Sequence, residues 1–207
     1  MKKPKAKRFL PVSVAVLMGG ESKRFGRPKA FLPYQGSSLA AGLLKKAELH
    51  SKDVFAVSRN INQVPPDARQ EFPVAMDHWK ERGPLSGLHA ALLESNHPAL
   101  FLTAVDMPYL NGKVISGFWK IFEEEGHPDV VAPRIDGYWE PLCALWNREV
   151  LKKLKSGKWG SFQKFLNEGK LNVRRVTVRE LKKLDPSLKC VRNFNTPEDW
   201  KKISPTR

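Results

Sequence analysis

The segment VAVLMGGESKRFGRPK, residues 14–29, indicates the architecture of the whole chain. It begins inside an apolar, β-branched run at 12–17, which is typical of a strand buried on both faces of a parallel sheet. A glycine-rich loop follows, where the backbone can approach a ligand closely and turn its N–H groups toward phosphate. Arg24 and Lys29 can neutralise phosphate charge. The segment therefore predicts a strand and an anion-binding loop, and the alternative is a tight turn followed by solvated basic residues.

Apolar runs and amphipathic segments alternate along the rest of the chain. Further strands are predicted at 53–58, 72–76, 99–105, 129–132, 141–146 and 173–178. Helices are predicted at about 39–47, 84–92, 112–125, 149–155, 161–166 and 197–203. Residues 59–71 contain Pro65-Pro66 and little periodicity, and are predicted to be irregular. The alternation predicts an α/β fold with a Rossmann-like, doubly wound and mostly parallel sheet.

Length and charge limit the possible functions. A chain of 207 residues can form one well-buried core, so we expect a single domain over 1–207. The net charge of +15 favours anionic partners, which include nucleic acid, acidic lipid and phosphorylated small molecules. The basic residues are not interleaved with aromatic ones as on a single-strand binding face, so nucleic acid is not expected as the main partner. A basic RNA-binding module remains the alternative from another functional class.

Cysteine content and hydropathy indicate a cytoplasmic protein. Cys143 and Cys190 are the only cysteines, which provides neither a disulfide framework nor a zinc site. The start, MKKPKAKRF followed by LPVSVAVLMGG, resembles a signal peptide, but Pro11 interrupts its apolar run. No apolar segment approaches the ~20 residues that a membrane helix needs. We therefore expect a reducing cytoplasm and no membrane association.

Polar or glycine residues follow each of the first four predicted strands. They are Gly19-Gly20, Ser58, Asp77 and Asp106. In open α/β sheets ligands bind outside the carboxyl ends of the strands, so these positions are candidates for a shared site. The loop itself is neither G-x-G-x-x-G nor G-x-x-x-x-G-K-[ST], which excludes the dinucleotide-binding and Walker-type motifs there.

Residues 17–32, LMGGESKRFGRPKAFL, resemble the nucleotidyltransferase signature L-[AM]-G-G-x-S-x-R-[MF]-G-x-x-K-A-x-L. The double glycine is most similar to that of the molybdenum cofactor guanylyltransferases. Three later segments fit that family in order and spacing: Asp77 before GPLSG at 83–87, VDMP around Asp106, and NFNTPED at 193–199. The resemblance spans nearly the whole chain.

The resemblance implies a function. Members of this family transfer GMP from GTP to the terminal phosphate of the molybdopterin cofactor and release pyrophosphate, with Mg²⁺ as the metal. It implies a nucleotide-binding half at about 10–110 and an acceptor-binding half at about 111–203. GTP and molybdopterin are the implied partners, together with other proteins of cofactor biosynthesis, and we expect a monomer or weak oligomer.

The resemblance also implies roles for individual residues. Asp106 would bind Mg²⁺, Lys29 would hold the phosphates and Arg24 would assist. The other implied contacts to nucleotide or cofactor are Leu17, Met18, Gly19, Gly20, Asp77, Asn193 and Asn195.

Ordinary structural roles are possible for the same residues. Asp106 would then cap the helix that begins near residue 112, and Asp77 would pair with Lys80 or Arg82. Residues 193–199 would then cap the last helix, with Thr196 before a proline. Within the same chemistry, a cytidylyltransferase for the same acceptor and a sugar-phosphate nucleotidyltransferase remain alternatives, although those relatives commonly have Leu-Ala-Ala-Gly at the loop.

Overall fold

Helices cover both faces of a central sheet in the computed structural model, which describes residues 9–19, 25–79, 83, 85–155 and 159–203. The strands are β1 Val12–Leu17, β2 Pro33–Tyr34, β3 Ser37–Ser38, β4 Asp53–Ser58, β5 Val74–Met76, β6 Ala99–Ala104, β7 Val130–Ile135, β8 Tyr138–Trp139, β9 Ala144–Asn147 and β10 Val173–Val176. The α-helices are α1 Leu39–Glu48, α2 Pro66–Glu71, α3 Leu85–Glu94, α4 Gly112–Glu124, α5 Val150–Lys155, α6 Phe162–Glu168, α7 Val178–Leu184 and α8 Pro197–Ile203. Among these described residues, no helix has the length and apolar character needed to cross a bilayer.

The sheet is mostly parallel, as the sequence predicts. Its spatial order is β10-β7-β9-β6-β1-β4-β5, and β8 pairs with β7 outside that path. The pairs β6–β1, β1–β4, β4–β5 and β10–β7 are parallel, whereas β9 runs antiparallel to both β6 and β7. The short strands β2 and β3 form a separate hairpin. The predicted doubly wound α/β fold is confirmed.

The core lies on both faces of β1, which explains why five of its six residues are apolar. Val14 and Val16 belong to a buried cluster with α1 and α4 on one face of the sheet, whereas Ala15 belongs to a second cluster with α3, α5 and α6 on the other. Successive side chains of a strand point to opposite faces, so β1 is apolar at every position except Ser13, which is buried and donates a hydrogen bond to Asp53 Oδ2.

Several predicted boundaries are confirmed to within a residue or two. β1, β4 and α8 begin and end where the sequence places them. Ser38 is the N-cap of α1, since its Oγ accepts a hydrogen bond from Ala41 N at 3.1 Å. The strand predicted at 141–146 begins only at Ala144, because a turn precedes it in which Cys143 N donates to Glu140 O at 3.1 Å.

Two predictions in less periodic regions are wrong. Residues 59–71 are not irregular: a 3-10 turn, Ile61–Gln63, precedes α2, and Pro66 occupies the first turn of that helix, where its missing N–H costs nothing. The strand predicted at 173–178 ends at Val176, because Thr177 starts α7 in a capping box with Glu180. α7 itself was not predicted.

Candidate active site

A cleft of about 570 Å³ opens at the carboxyl edge of β5, β4, β1 and β6. Its lining includes Gly19 after β1, Arg59 after β4, Asp77 after β5 and Asp106 after β6. The chain leaves β1 toward β4 on one side, while β6 lies on the other side, so the cleft is at the point where the strand order reverses. Doubly wound sheets bind their ligands at such a point.

Lys29 and Asp106 meet at one end of the site. Lys29 Nζ lies 3.3 Å from Asp106 Oδ2, and their side chains are 12% and 28% exposed. The same ammonium group donates to the backbone oxygen of Phe194 at 2.6 Å and to Asn195 Oδ1 at 3.4 Å. The ring of Phe194 lies 4.9 Å from Lys29 Nζ.

The segment 193–195 closes this end of the site from the far end of the chain. Phe194 N donates to the backbone oxygen of Asp106 at 3.0 Å, and the Phe194 ring is fully buried. Asn195 and Asn193 are both exposed on either side of it. Two segments widely separated in sequence therefore combine here, and of the two predicted asparagines the structure brings Asn195 to Lys29.

The capping roles considered for this region belong to other residues. Asn111 is the N-cap of α4 and accepts from Lys113 N at 2.9 Å, so Asp106 is not the cap of that helix. Thr196 Oγ1 accepts from Asp199 N at 3.1 Å in the first turn of α8. The predicted structural role for residues 193–199 is thus confirmed for Thr196, while Asn195 keeps a contact within the site.

Asp77 lies at the other end of the cleft in a network with Arg59 and Ser86. Arg59 Nε donates to Asp77 Oδ2 at 3.0 Å, and Ser86 Oγ donates to the same oxygen at 2.7 Å. Asp77 Oδ1 accepts from Trp79 N at 3.1 Å. The predicted pairing partners Lys80 and Arg82 lie outside the described residues. Among the residues that the structure does describe, Arg59 is the ion-pair partner of Asp77.

The described start of the glycine-rich segment also lines the cleft. Leu17 and Gly19 line the cleft, and a Cβ added at Gly19 would meet nothing within 4 Å, so open space lies above its backbone. Met18 is 2% exposed and packs in the core, and its N–H donates to Val57 O at 2.8 Å. The remaining predicted loop residues, Gly20 and Arg24, lie outside the described residues.

The residues at the Lys29 end fit a magnesium ion that arrives with phosphates. Asp106 is one hard carboxylate at the mouth of the cleft, and Mg²⁺ is typically bound by one or two carboxylates together with substrate phosphates and water. Over the described ranges, the chain forms no group of three or more His, Cys, Asp or Glu residues that would hold a metal by itself. The donor set therefore suits a metal shared with a nucleotide rather than a resident metal centre.

Neither cysteine is among the described residues that line the cleft. Cys143 and Cys190 are free and buried. Hydrogen bonding to Cys190, together with burial, raises the pKa of the Cys143 thiol well above its ordinary value. The thiolate is the reactive form of cysteine, so this thiol is inert near neutral pH.

Arg59 and Ser86 belong to the site but are not among the site residues predicted from the sequence. The sequence does show Arg59 directly after the polar end of β4 and Ser86 within the GPLSG segment, but neither position carries an obvious chemical signature. Their importance depends on the pairing of β4 with β5, where Ser58 lies opposite Met76. That register brings the residues that follow the two strands, Arg59 and Asp77, side by side.

Comparison with known proteins gives one consistent family. Residues 14–170 match the family described as MobA-like NTP transferase domain. A probable molybdenum cofactor guanylyltransferase of Methanosarcina acetivorans is 31% identical, over 90% of this chain and 87% of that protein. A molybdenum cofactor guanylyltransferase of Desulfosudis oleivorans is also 31% identical, over 92% of this chain and 93% of that protein.

A solved structure agrees with these relatives. The crystal structure of molybdopterin-guanine dinucleotide biosynthesis protein A from Archaeoglobus fulgidus superposes with a TM-score of 0.77 at 30% sequence identity. The match covers 93% of this chain and 96% of that one. The similarity therefore extends over nearly the whole chain and is not confined to the glycine-rich loop.

Proposed function

The chain belongs to the MobA-like NTP transferase family, and on that premise we propose that it transfers GMP from GTP to the molybdopterin cofactor and releases pyrophosphate. The product is molybdopterin guanine dinucleotide, so the protein acts in molybdenum cofactor biosynthesis. The nucleotidyltransferase class rests on the family match, and the guanine and molybdopterin substrates rest on the relatives' names and on the signature at 17–32.

The shape of the cleft is the observation that carries the proposal. Asp106 follows β6 and Asp77 follows β5, and two strands, β1 and β4, lie between them. Neighbouring strands are about 4.8 Å apart, so the two ends are separated by about 14 Å, a span suited to an extended nucleoside triphosphate. Lys29 and Asp106 would bind the phosphates at one end, and Asp77 would border the nucleoside at the other.

The chemistry requires positioning and charge rather than a covalent intermediate. A phosphate oxygen of the acceptor attacks the α-phosphorus of GTP, and the bond to the leaving pyrophosphate breaks. Three anionic groups approach one another, so cations that hold them in line supply the main stabilisation. Lys29 would neutralise phosphate charge and Arg24 would assist it. Gly19, with open space above its backbone, would let the nucleotide lie close to the loop.

Asp106 is the proposed ligand of Mg²⁺. Its carboxylate lines the cleft and would share the ion with phosphate oxygens and water. The bound ion would neutralise charge that develops on those oxygens during transfer.

The acceptor side is assigned to the second part of the chain. In this proposal a single domain over 1–207 has a nucleotide-binding half at about 10–110 and an acceptor-binding half at about 111–203. Asn193 and Asn195 would contact the molybdopterin side. A monomer or weak oligomer in the cytoplasm would obtain its acceptor from other proteins of cofactor biosynthesis.

The proposal is tested by a defined reaction. The full chain is incubated with molybdopterin, Mg²⁺ and either GTP or CTP, and both pyrophosphate and the nucleotide-bearing pterin are measured. Guanine product and pyrophosphate in equal amounts are expected, and transfer from CTP in preference to GTP would contradict the assignment. Asp106→Asn should abolish transfer. Asp136→Asn is the matched control, because Asp136 is exposed in a turn with φ of 49°, a conformation that asparagine readily adopts.

A further inference from the structure

Arg59 is the more exposed of the two charged residues that line the cleft at its proposed nucleoside end. The side chain of Arg59 is 51% exposed and that of Asp77 is 6% exposed, although the two form one ion pair. Asp77 already accepts hydrogen bonds from Arg59, Ser86 and Trp79 N. A carboxylate has about four acceptor positions, so most of the capacity of Asp77 is used within the protein.

Arg59 is held in one orientation by three groups. Its Nε donates to Asp77 Oδ2 at 3.0 Å, while Nη2 donates to Ser86 Oγ at 2.8 Å and to the backbone oxygen of Gly83 at 3.1 Å. Gly83 has a φ of +55°, which a residue with a side chain rarely adopts. These three contacts use the Nε–H and both N–H groups of Nη2, so the two N–H donors of Nη1 are the ones that can reach a ligand. A guanidinium group fixed in this way loses little conformational freedom when a ligand binds, so Nη1 is a preorganised donor.

On the basis of the function proposed above, we infer that Nη1 of Arg59 donates to the O6 and N7 acceptors of the guanine base and that Asp77 is the residue that positions Arg59. Guanine presents two acceptors, O6 and N7, along one edge, and arginine is the side chain that most often recognises that pair. Adenine and cytosine place an amino group on the corresponding edge, which a guanidinium group repels. Arg59 thereby gives the cleft a preference for guanine.

The position of Arg59 agrees with this role. β4 lies between β5 and β1, so Arg59 follows a strand on the far side of β1 from Asp106. With the phosphates bound near Lys29 and Asp106, the base of an extended nucleotide reaches the region of Arg59. Gln63, in the 3-10 turn after β4, lines the same end of the cleft.

Analogues of GTP distinguish recognition of the base by Arg59 from recognition by Asp77. 7-Deaza-GTP lacks the N7 acceptor. ITP keeps O6 and N7 but lacks the exocyclic amine, which would donate a hydrogen bond to Asp77. Their affinities are measured by calorimetry for the full chain and for Arg59→Lys and Arg59→Gln. Arg59→Lys keeps a positive charge beside Asp77 but removes the planar guanidinium group and its N–H donors. Arg179→Gln is the control, since Arg179 is exposed in α7, and α7 packs on β7 toward the opposite edge of the sheet.

The ratio of the affinity for GTP to the affinity for 7-deaza-GTP should depend on Arg59. The unaltered chain and Arg179→Gln should bind 7-deaza-GTP about tenfold more weakly than GTP, while both Arg59 variants should bind the two nucleotides about equally. ITP should bind within about twofold of GTP in all four proteins, because the proposed contacts to O6 and N7 remain. A ratio of affinities does not change with the folded fraction, so partial unfolding of a variant does not imitate this result.

Other results would overturn the inference. If ITP binds tenfold more weakly than GTP and 7-deaza-GTP binds as tightly as GTP, Asp77 rather than Arg59 recognises the base. If both Arg59 variants still bind 7-deaza-GTP more weakly than GTP, Arg59 does not recognise the base. That result would not affect the proposed GMP transfer. Preference of the unaltered chain for CTP over GTP would instead overturn the proposed function together with this inference.

Discussion

The ammonium group of Lys29 lies 3.3 Å from Oδ2 of Asp106, so the proposed phosphate-binding cation and the proposed metal-binding carboxylate are ion-pair partners before a nucleotide arrives. In the proposed reaction, a triphosphate and its metal ion would replace this pair with two new ones, Lys29 with phosphate and Asp106 with metal. The pair keeps two partly buried charges satisfied in the meantime. Each member can be tested separately.

Removing the charge of Lys29 should slow transfer. Lys29→Gln deletes a cation aimed at the phosphates, and loss of one such preorganised group typically lowers kcat by about 10²–10³. Steady-state pyrophosphate release measures the effect. Lys45→Gln is the matched control, because Lys45 forms a surface ion pair with Glu71 in which both side chains are 48% exposed. A similar loss in the control would contradict a specific role for Lys29.

Removing the charge of Asp106 should strengthen GTP binding in the absence of metal and abolish the effect of Mg²⁺ on that binding. In EDTA, Asp106→Asn should bind GTP several-fold more tightly than the unaltered chain, because Lys29 loses its competing partner and a negative charge leaves the triphosphate site. Added Mg²⁺ should tighten binding in the unaltered chain and have little effect in the variant. Calorimetric titration with and without Mg²⁺ measures both, and Asp136→Asn should behave as the unaltered chain. An equal Mg²⁺ effect in Asp106→Asn would count against Asp106 as the ligand.

Phe194 should affect stability and nucleotide binding together. Its buried ring packs 5.0 Å from Trp200 and 5.7 Å from Phe25 between centroids, so Phe194→Ala should lower the free energy of unfolding by about 3–5 kcal/mol. The milder Phe194→Leu should remain folded and raise the KM for GTP, because the segment that holds Lys29 is loosened. Urea denaturation and steady-state kinetics measure the two effects. Phe122→Leu, in α4, should cost comparable stability and leave KM unchanged.

Glu180 should contribute stability that depends on pH. Hydrogen bonds from Arg174 and from Thr177 N lower the pKa of Glu180 from its ordinary value of 4.5 to about 2. A lowered folded-state pKa means that the stabilisation is present above about pH 4.5 and is lost as the pH falls toward 2. Glu180→Gln should therefore be less stable by about 0.5–1 kcal/mol at pH 7 and lose stability less steeply between those pH values. Thermal unfolding against pH measures this. Glu123→Gln, on the surface of α4, is the control, and parallel curves for Glu180→Gln and the unaltered chain would contradict the prediction.

The strands that bear the site were predictable because apolar runs in a parallel sheet are long and uninterrupted. Val12–Leu17 and Ala99–Ala104 are apolar apart from one hydroxyl residue each, and Gly19 and Asp106, which follow them, line the cleft. The pairing of Arg59 with Asp77 was not predictable, since it depends on which strands are neighbours and in what register. The short helices α2 and α7 were missed because their formation depends on a first-turn proline and a capping box rather than on a long apolar stripe.

The contact between Lys29 and Phe194 joins residues 165 positions apart in the chain. During synthesis the glycine-rich loop leaves the ribosome long before the segment that seats its lysine, and at 5–20 residues per second the delay is roughly 10–30 s. Throughout that interval the growing polypeptide has β1 and its loop but lacks the carbonyl oxygen that orients the lysine. The end of the cleft that we propose binds phosphate is therefore complete only after translation has passed residue 195.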